Sequence, residues 1–229
     1  MKQLTTQAII LTRTNYGEAD RILTLLTPEY GKLRLMAKGV RKVKSKMAGG
    51  IELFSVSDIS FIRGRGEIGT LTSTRLVKHY GNIVKDIERT TAGYELIRQL
   101  HRATEDAPDT EYFQLIEQAF EALNEPEILL ELIRLWFAIR LLKLDGHMPN
   151  LQTDQSGQAL QLNAKYNFDV DDGGLIASPN GQLSADEIKF LRLGFSGNTP
   201  QVLSRVEGSE QLVQACLPLI QAMTRQFIR

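Results

Sequence analysis

The chain has 229 residues, of which 42% are hydrophobic and 24% charged, and its 27 basic and 27 acidic residues give a net charge of zero. This is the composition of an ordinary globular protein, and the single cysteine, Cys216, excludes an internal disulfide and a zinc site built from cysteines. No apolar run reaches the roughly 18 residues that a membrane span requires. The first 20 residues lack the features of a secretory signal, so we expect a cytoplasmic protein.

The neutral total conceals a separation of charge along the chain. Residues 1–80 contain 14 Lys and Arg against 6 Asp and Glu, a net charge of +8. Residues 81–229 contain the other 13 basic and 21 acidic residues, a net charge of −8. Such asymmetry indicates that the N-terminal part meets a polyanion while the rest of the chain has a different role.

The first 80 residues are predicted to form five β-strands, because β-branched residues, leucine and alternating patterns recur between turn signals. The predicted strands are residues 5–14, 20–27, 31–38, 51–63 and 66–77. A turn at 15–17 joins the first two strands, and a hairpin loop at 63–66 joins the last two. Five strands of this length, with one longer basic connection, suit a small closed barrel.

After residue 80 the hydrophobic periodicity becomes helical, with helices predicted over 82–103, 109–124 and 127–145. The third is apolar on nearly all sides, so we expect it to be a central buried helix. Ser184 and Glu187 have the spacing of a capping box at the start of a further helix. Pro200 opens a short helix, and residues 209–228 form a last one that Pro218 is expected to kink or break.

Two other patterns complete the helical part. The helix over 82–103 is predicted from four apolar residues at helical spacing, which are Ile87, Tyr94, Ile97 and Leu100. The stretch between Gly146 and Ser184 is polar and rich in Gly, Asn, Asp and Gln. It is long for a bare connection, so we expect it to have some structure of its own.

One segment concentrates positive charge, with five cations in nine residues and no acid among them: Lys38, Arg41, Lys42, Lys44 and Lys46. Glycines bound it, so it can form a flexible loop that follows a phosphate backbone, and the preceding strand adds Lys32 and Arg34. Aromatic residues nearby are possible stacking surfaces, although some must fill the core: Tyr16, Tyr30, Phe54 and Phe61. Oligonucleotide-binding folds hold single strands with such a groove. We therefore predict that these seven cations bind nucleic acid; the alternative is a solvated loop.

The sequence contains no motif of a catalytic site. The phosphate-binding glycine loop, the nucleophile elbow and the zinc-binding His-Glu-x-x-His motif are all missing, and the three histidines are isolated. We therefore expect a protein that is not an enzyme. Three cations on the predicted central helix, Arg134, Arg140 and Lys143, form either a partner site or a solvated rim.

Residues 16–59, "YGEADRILTLLTPEYGKLRLMAKGVRKVKSKMAGGIELFSVSDI", closely resemble the N-terminal signature of the bacterial recombination and repair mediator family RecO. The signature comprises Gly17-Glu18 and Asp20-Arg21, then Tyr30-Gly31-Lys32, then a basic loop ending in glycine. Residues 129–151 are similar to the central helix of the family and to the Gly-x-x-Pro turn after it. The resemblance implies an α+β protein, with an oligonucleotide-binding (OB) barrel over 1–80 and a helical domain over 81–229.

Many RecO proteins carry four zinc-binding cysteines just after that turn. The nearest alignment places other residues at those positions, which are Thr153, Ser156, Ala177 and Asn180, and none of them can supply a thiolate. We therefore expect residues 147–183 to be a remnant of the zinc module and expect neither zinc nor any other cofactor.

The resemblance also implies a function and partners. It implies binding and annealing of single-stranded DNA, with double-stranded DNA as a possible further ligand. It also implies association with RecR and contact with the C-terminal tail of single-stranded-DNA-binding protein. Together these steps load RecA on coated DNA, at the nucleoid and away from any membrane. For the tail, an apolar pocket framed by Arg134, Arg140 and Lys143 is the candidate site. Two alternatives remain: an RNA-binding protein with the same fold, and an interaction scaffold whose basic loop docks an acidic protein.

Overall fold

The computed structural model describes residues 2–64, 66–104, 110–170 and 172–228. The chain divides into two compact units, Met1–Asn124 and Glu125–Arg229. The change from strands to helices lies near residue 80, at the predicted domain boundary. The first two helices nevertheless belong to the same compact unit as the strands.

The first unit contains the predicted five strands, which are β1 (Gln3–Tyr16), β2 (Asp20–Thr27), β3 (Gly31–Ala37), β4 (Ser55–Ile62) and β5 (Ile68–His79). They pair in the order β1-β2-β3-β5-β4 and close into a barrel. All pairings are antiparallel except that of β3 with β5. The closed five-stranded barrel and the α+β class are thus confirmed, and the architecture is that of an OB fold. Within the hairpin loop predicted at 63–66, Arg65 lies outside the described residues.

Apolar side chains that alternate with polar ones along the strands fill the barrel. On β3, Leu35 is 1% exposed and belongs to the core, whereas its neighbour Arg34 is exposed. The predicted fourth strand begins later than expected, because Ala48–Ile51 forms a 3-10 turn and Phe54 has a positive φ of 55°. A bulky side chain rarely adopts this left-handed backbone conformation, so Phe54 ends the loop with a sharp change of direction before β4.

Two helices complete the first unit, α1 (Ile87–Ala103) and α2 (Thr110–Leu123). The Asp86 side chain caps α1 by accepting from the backbone N–H groups of Glu88 and Arg89. Of the four apolar residues whose spacing predicted this helix, Ile97 and Leu100 are buried, whereas Ile87 and Tyr94 are 78% and 47% exposed. Helical spacing alone did not show which side of α1 is covered.

Phe54 lies at the centre of an aromatic cluster in the first unit. Its ring meets those of Tyr94 and Phe120 edge to face, each with 5.4 Å between centroids. Tyr80 packs on Phe120 in the same way, at 5.7 Å. On α1, Gly93 leaves room for the Phe54 ring, because a Cβ atom there would lie 2.5 Å from Phe54 Cε1. The cluster joins the barrel to α1 and α2.

The second unit is mainly helical, with α3 (Leu130–Leu144), α4 (Ala185–Phe195), α5 (Pro200–Leu203) and α6 (Ser209–Phe227). The prediction of a central helix is confirmed, since eight of the fifteen residues of α3 are buried. The predicted capping box of Ser184 and Glu187 is present at the start of α4. α6 runs through Pro218 without a break. Across the described ranges, no helix has both the length and the apolar character needed to span a bilayer.

The polar stretch before α4 has structure of its own, as expected. It contains a two-stranded antiparallel sheet of β6 (Tyr166–Asp169) and β7 (Gly174–Ala177). Tyr166 anchors it: the residue is 2% exposed, exchanges backbone hydrogen bonds with Leu183, and accepts the backbone N–H of Gln161 on its hydroxyl oxygen.

Candidate nucleic-acid interface

The basic loop, residues 38–47, is fixed at its start to the turn between β1 and β2. The Gly39 N–H donates to the carboxylate of Asp20 at 2.7 Å, and the Arg41 N–H donates to the carbonyl of Ala19 at 2.9 Å. Between them Val40 points into the barrel core and is only 3% exposed. These contacts determine where the loop leaves the barrel.

The end of the loop is fixed to β5. The Thr74 hydroxyl donates to the carbonyl of Met47 at 3.1 Å. Gly50, three residues after Met47, lies against the side chain of Thr74. A Cβ atom at this position would overlap that side chain, so only glycine fits without a shift of Thr74. Between the two ends the loop makes consecutive turns, with the N–H groups of Lys42 and Ser45 bonded to the carbonyls of Gly39 and Lys42. The expected flexible connection is therefore a folded segment held at both ends.

The five cations of the loop point into solvent: Lys38, Arg41, Lys42, Lys44 and Lys46 are all exposed. Arg41 donates to the carbonyl of Gly17 at 3.2 Å, which ties it to the β1–β2 turn. Among the described residues, the side chains of the four lysines have no ion pair or hydrogen bond. Because none of these lysines pairs with a carboxylate of the described residues, the loop presents positive charge to solvent, which is the arrangement that attracts a polyanion.

Lys32 and Arg34 differ from the loop cations because both have partners in the first unit. The Lys32 ammonium donates to the carbonyls of His101 and Thr104 at the end of α1, where a cation stabilises the helix dipole. Arg34 lies 3.6 Å from the carboxylate of Glu67. A pocket of about 530 Å³ is lined by Thr24, Lys32, Arg34, Glu67 and His101. The structure therefore gives Lys32 a role at the α1 terminus, while the Arg34 side chain is still 52% exposed.

Only part of the expected aromatic surface is accessible. Phe54 and Phe61 are 1% and 0% exposed, so they are the members of the set that belong to the core and offer no stacking surface. Tyr30 is half-buried, with its ring edge-on to Phe61 and Arg63 above it. Tyr16 is 56% exposed at the end of β1, beside the residue whose carbonyl Arg41 contacts. It is the aromatic residue best placed to meet a ligand of the basic loop.

Two family models match almost the whole chain. Residues 1–80 match "Recombination protein O N terminal" and residues 84–226 match "Recombination protein O C terminal". The chain belongs to the RecO family. This is a family of recombination and DNA repair proteins, so the resemblance seen in the sequence is confirmed.

Curated relatives agree with the family models. The DNA repair protein RecO of Dehalococcoides mccartyi strain 195 is 32% identical over 204 residues, covering 86% of this chain and 80% of the relative. Its counterpart in D. mccartyi strain CBDB1 is 34% identical over 198 residues, covering 82% and 76%. The DNA repair protein RecO of Alkaliphilus metalliredigens is 29% identical over 186 residues, covering 81% and 75%.

The structure explains the positions of several residues of the RecO signature. Gly17 has a φ of 57° and makes the β1–β2 turn, and Asp20 holds the start of the basic loop. Gly31, with a φ of 64°, begins β3 in the same left-handed conformation, and Lys32 reaches the end of α1. These signature residues therefore position the loop and the helix, and the loop lysines remain exposed.

Residues 147–183, where the resemblance predicts a remnant of a zinc module, contain β6 and β7. Around Thr153 and Ser156 the chain is held by Asp154, whose carboxylate accepts from the Ser156 hydroxyl and from the N–H groups of Ser156 and Gln158. These hydrogen bonds, the one from the Ser156 side chain foremost, lower the pKa of Asp154. Ala177 ends β7, and the Ser178 and Gly181 N–H groups bond within the module. Hydrogen bonds thus shape this segment.

The three cations singled out on α3 lie in different surroundings. Arg134 pairs with Glu131 at 3.6 Å, and the Lys143 ammonium donates to the carbonyl of Phe195 at 2.9 Å, at the end of α4. The Arg140 guanidinium lies over Gly197, and its buried Nε has no hydrogen-bond partner among the described residues. Arg140 is therefore the member of the trio with a buried donor that no described residue satisfies.

Proposed function

We propose that this RecO family member is a recombination mediator that binds and anneals single-stranded DNA. Together with RecR, it would help to load RecA on DNA coated by single-stranded-DNA-binding protein. It would act by binding and placing its partners, without catalysing a chemical reaction. Family membership supports the role in recombination and repair, and the details of the role are our inference.

The observation that carries the proposal is the basic loop. It offers four lysines that have no partner among the described residues, together with Arg41, on a barrel of the type that holds single strands. The exposed Tyr16 lies at the same end of the barrel and supplies a surface on which a base can stack. Phosphates would meet the cations, and the unpaired bases would remain free to find a complementary strand.

Competition between nucleic acids tests the proposal. Labelled single-stranded DNA bound to the protein would be displaced by unlabelled DNA or RNA of the same sequence, and the rate of annealing of complementary strands would be measured alongside. We expect DNA to compete better than RNA and annealing to be accelerated. A preference for RNA would support an RNA-binding protein, since the 2′-hydroxyl distinguishes the two ligands. No binding of either would support the interaction scaffold.

We further propose that Arg140 contributes to the site for the C-terminal tail of single-stranded-DNA-binding protein. The tail is acidic and ends in a free carboxylate, which requires a charge partner when it is buried. Arg140 has a buried donor without a partner, whereas Arg134 and Lys143 already bond to Glu131 and Phe195. The apolar groove between α4 and α6 is a less suitable place, because Asp186, Glu187 and Glu207 line it.

Arg140→Ala should weaken binding of the tail peptide about tenfold, the loss expected for one charge-assisted hydrogen bond. Lys143→Ala is the matched control on the same helix, since its ammonium already caps α4, and we expect it to change peptide affinity little. Calorimetric titration with the peptide measures both variants. Affinity for oligonucleotide should be the same in both. Equal peptide affinity in the parent and Arg140→Ala would place the site elsewhere.

The protein is also proposed to fold and function without zinc. Thr153, Ser156, Ala177 and Asn180 offer no thiolate, and Asp154 and Tyr166 hold the module by hydrogen bonds. Within the described residues there is no cluster of three or more His, Cys, Asp or Glu suited to a metal. Elemental analysis should find less than one zinc per chain, and a chelator should leave the melting temperature unchanged. Tightly bound stoichiometric zinc would refute this.

A further inference from the structure

The tip of the basic loop carries an apolar side chain with no role in the fold. Val43 has a relative exposure of 104%, the highest of the large hydrophobic residues described, ahead of Ile87 at 78%. It follows Lys42 in the turn that the Ser45 N–H closes onto the Lys42 carbonyl. Turn positions favour Pro, Gly, Asn, Asp and Ser, so a β-branched apolar residue here serves neither packing nor turn geometry.

A comparison within the loop shows that this exposure is not a general property of the segment. Val40, three residues earlier, is 3% exposed and packs in the barrel core. The contacts of Asp20, Ala19 and Thr74 hold both ends of the loop, so the tip is displayed at a defined place. The loop therefore buries one valine to anchor itself and holds another in water, between Lys42 and Lys44.

We propose that Val43 contacts the bases of the bound single strand, while the lysines beside it contact the phosphates. This rests on the proposed binding of single-stranded DNA at the loop. Unpaired bases expose apolar faces and, in thymine, a methyl group, and apolar side chains of DNA-binding proteins are known to pack against both kinds of surface. Cations on either side of Val43 would bring the backbone close enough for this contact.

The two kinds of contact can be separated because they respond differently to salt. A phosphate contact releases counterions and contributes to the slope of log affinity against log salt, whereas an apolar contact with a base does not. Val43→Ser should weaken binding of a base-bearing single strand about fivefold and leave the salt slope unchanged. Because the Val43 side chain is fully exposed in the folded protein, the melting temperature should not change.

The experiment compares the parent, Val43→Ser and a control, Val77→Ser, which replaces a valine that is 48% exposed on β5. Each is titrated with a single strand and with a fully abasic strand of the same length, over a salt series. We expect Val43→Ser to lose affinity for the base-bearing strand alone and Val77→Ser to match the parent. An equal loss on both strands, a changed slope or no loss would overturn the assignment of Val43. A parent protein that binds neither strand would refute the proposed function itself.

Discussion

Replacing Lys42, Lys44 and Lys46 with alanine is expected to weaken binding of single-stranded DNA on the order of 100-fold at 0.1 M salt, and to make the salt slope shallower by about 2. Each cation that neutralises one phosphate contributes about −0.7 to the slope of log affinity against log salt. The three side chains are exposed and have no partner among the described residues, so the fold should be unaffected. Fluorescence anisotropy over a salt series measures both quantities.

A control of equal charge change is available in the second unit. Three exposed cations lie there, which are Lys165, Lys189 and Arg205. Their replacement by alanine removes as many positive charges from the protein as the loop variant does. If the loop binds phosphate directly, this control should keep the parent slope. A similar loss in both variants would mean that net charge alone drives binding, and an unchanged slope in the loop variant would mean that the loop is merely solvated.

The largest expected effect on stability is at Phe54. Its ring is 1% exposed and contacts Tyr94 and Phe120, so Phe54→Ala should lower the free energy of unfolding by about 3–5 kcal/mol. Urea unfolding followed by far-ultraviolet circular dichroism measures the change. A loss below about 1 kcal/mol would show that the aromatic cluster does not stabilise the first unit.

Gly93 provides a test of the same contact from α1. Gly93→Ala should be destabilising by about 1–3 kcal/mol in the parent, because the added Cβ would lie 2.5 Å from the Phe54 ring. In the Phe54→Ala background the ring is gone, so the same change should stabilise by up to about 1 kcal/mol through helix propensity. Thr91→Ala, an exposed change on the same helix, should not depend on the background. Equal effects of Gly93→Ala in both backgrounds would contradict the packing described.

The strands and the central helix were predictable because their patterns are strong and local. Alternation along β3 correctly separated Leu35 from Arg34, and the apolar character of α3 correctly indicated burial. The side of α1 that is covered was not predictable from its own spacing, because it depends on Phe54, which is distant in sequence. Gly93 is a small residue in a helix, and only the neighbouring ring explains it.

The basic loop was recognisable in the sequence, but its conformation and contacts were not. A run of cations identifies the loop, but nothing local to the sequence shows that Asp20 and Thr74 hold it. The alternation of β3 placed Lys32 on the outer face, while its contacts with the end of α1 depend on residues about 70 positions later. Val43 was missed because one valine among lysines carries no signal until its exposure is known. The difference in exposure between Val43 and Val40 becomes visible only in the folded loop.

The anchoring of the basic loop has a consequence for how affinity can be tuned. Ordering a mobile segment when a ligand arrives reduces affinity, because conformational entropy is lost in the complex. Here the bonds to Asp20 and Thr74 already order the backbone of the segment in the free protein, so the backbone that carries the cations is preorganised. Changes that release either anchor would lower affinity even though every lysine is retained. Under the proposed function, residues that never touch the nucleic acid would thus help to set how tightly it is held.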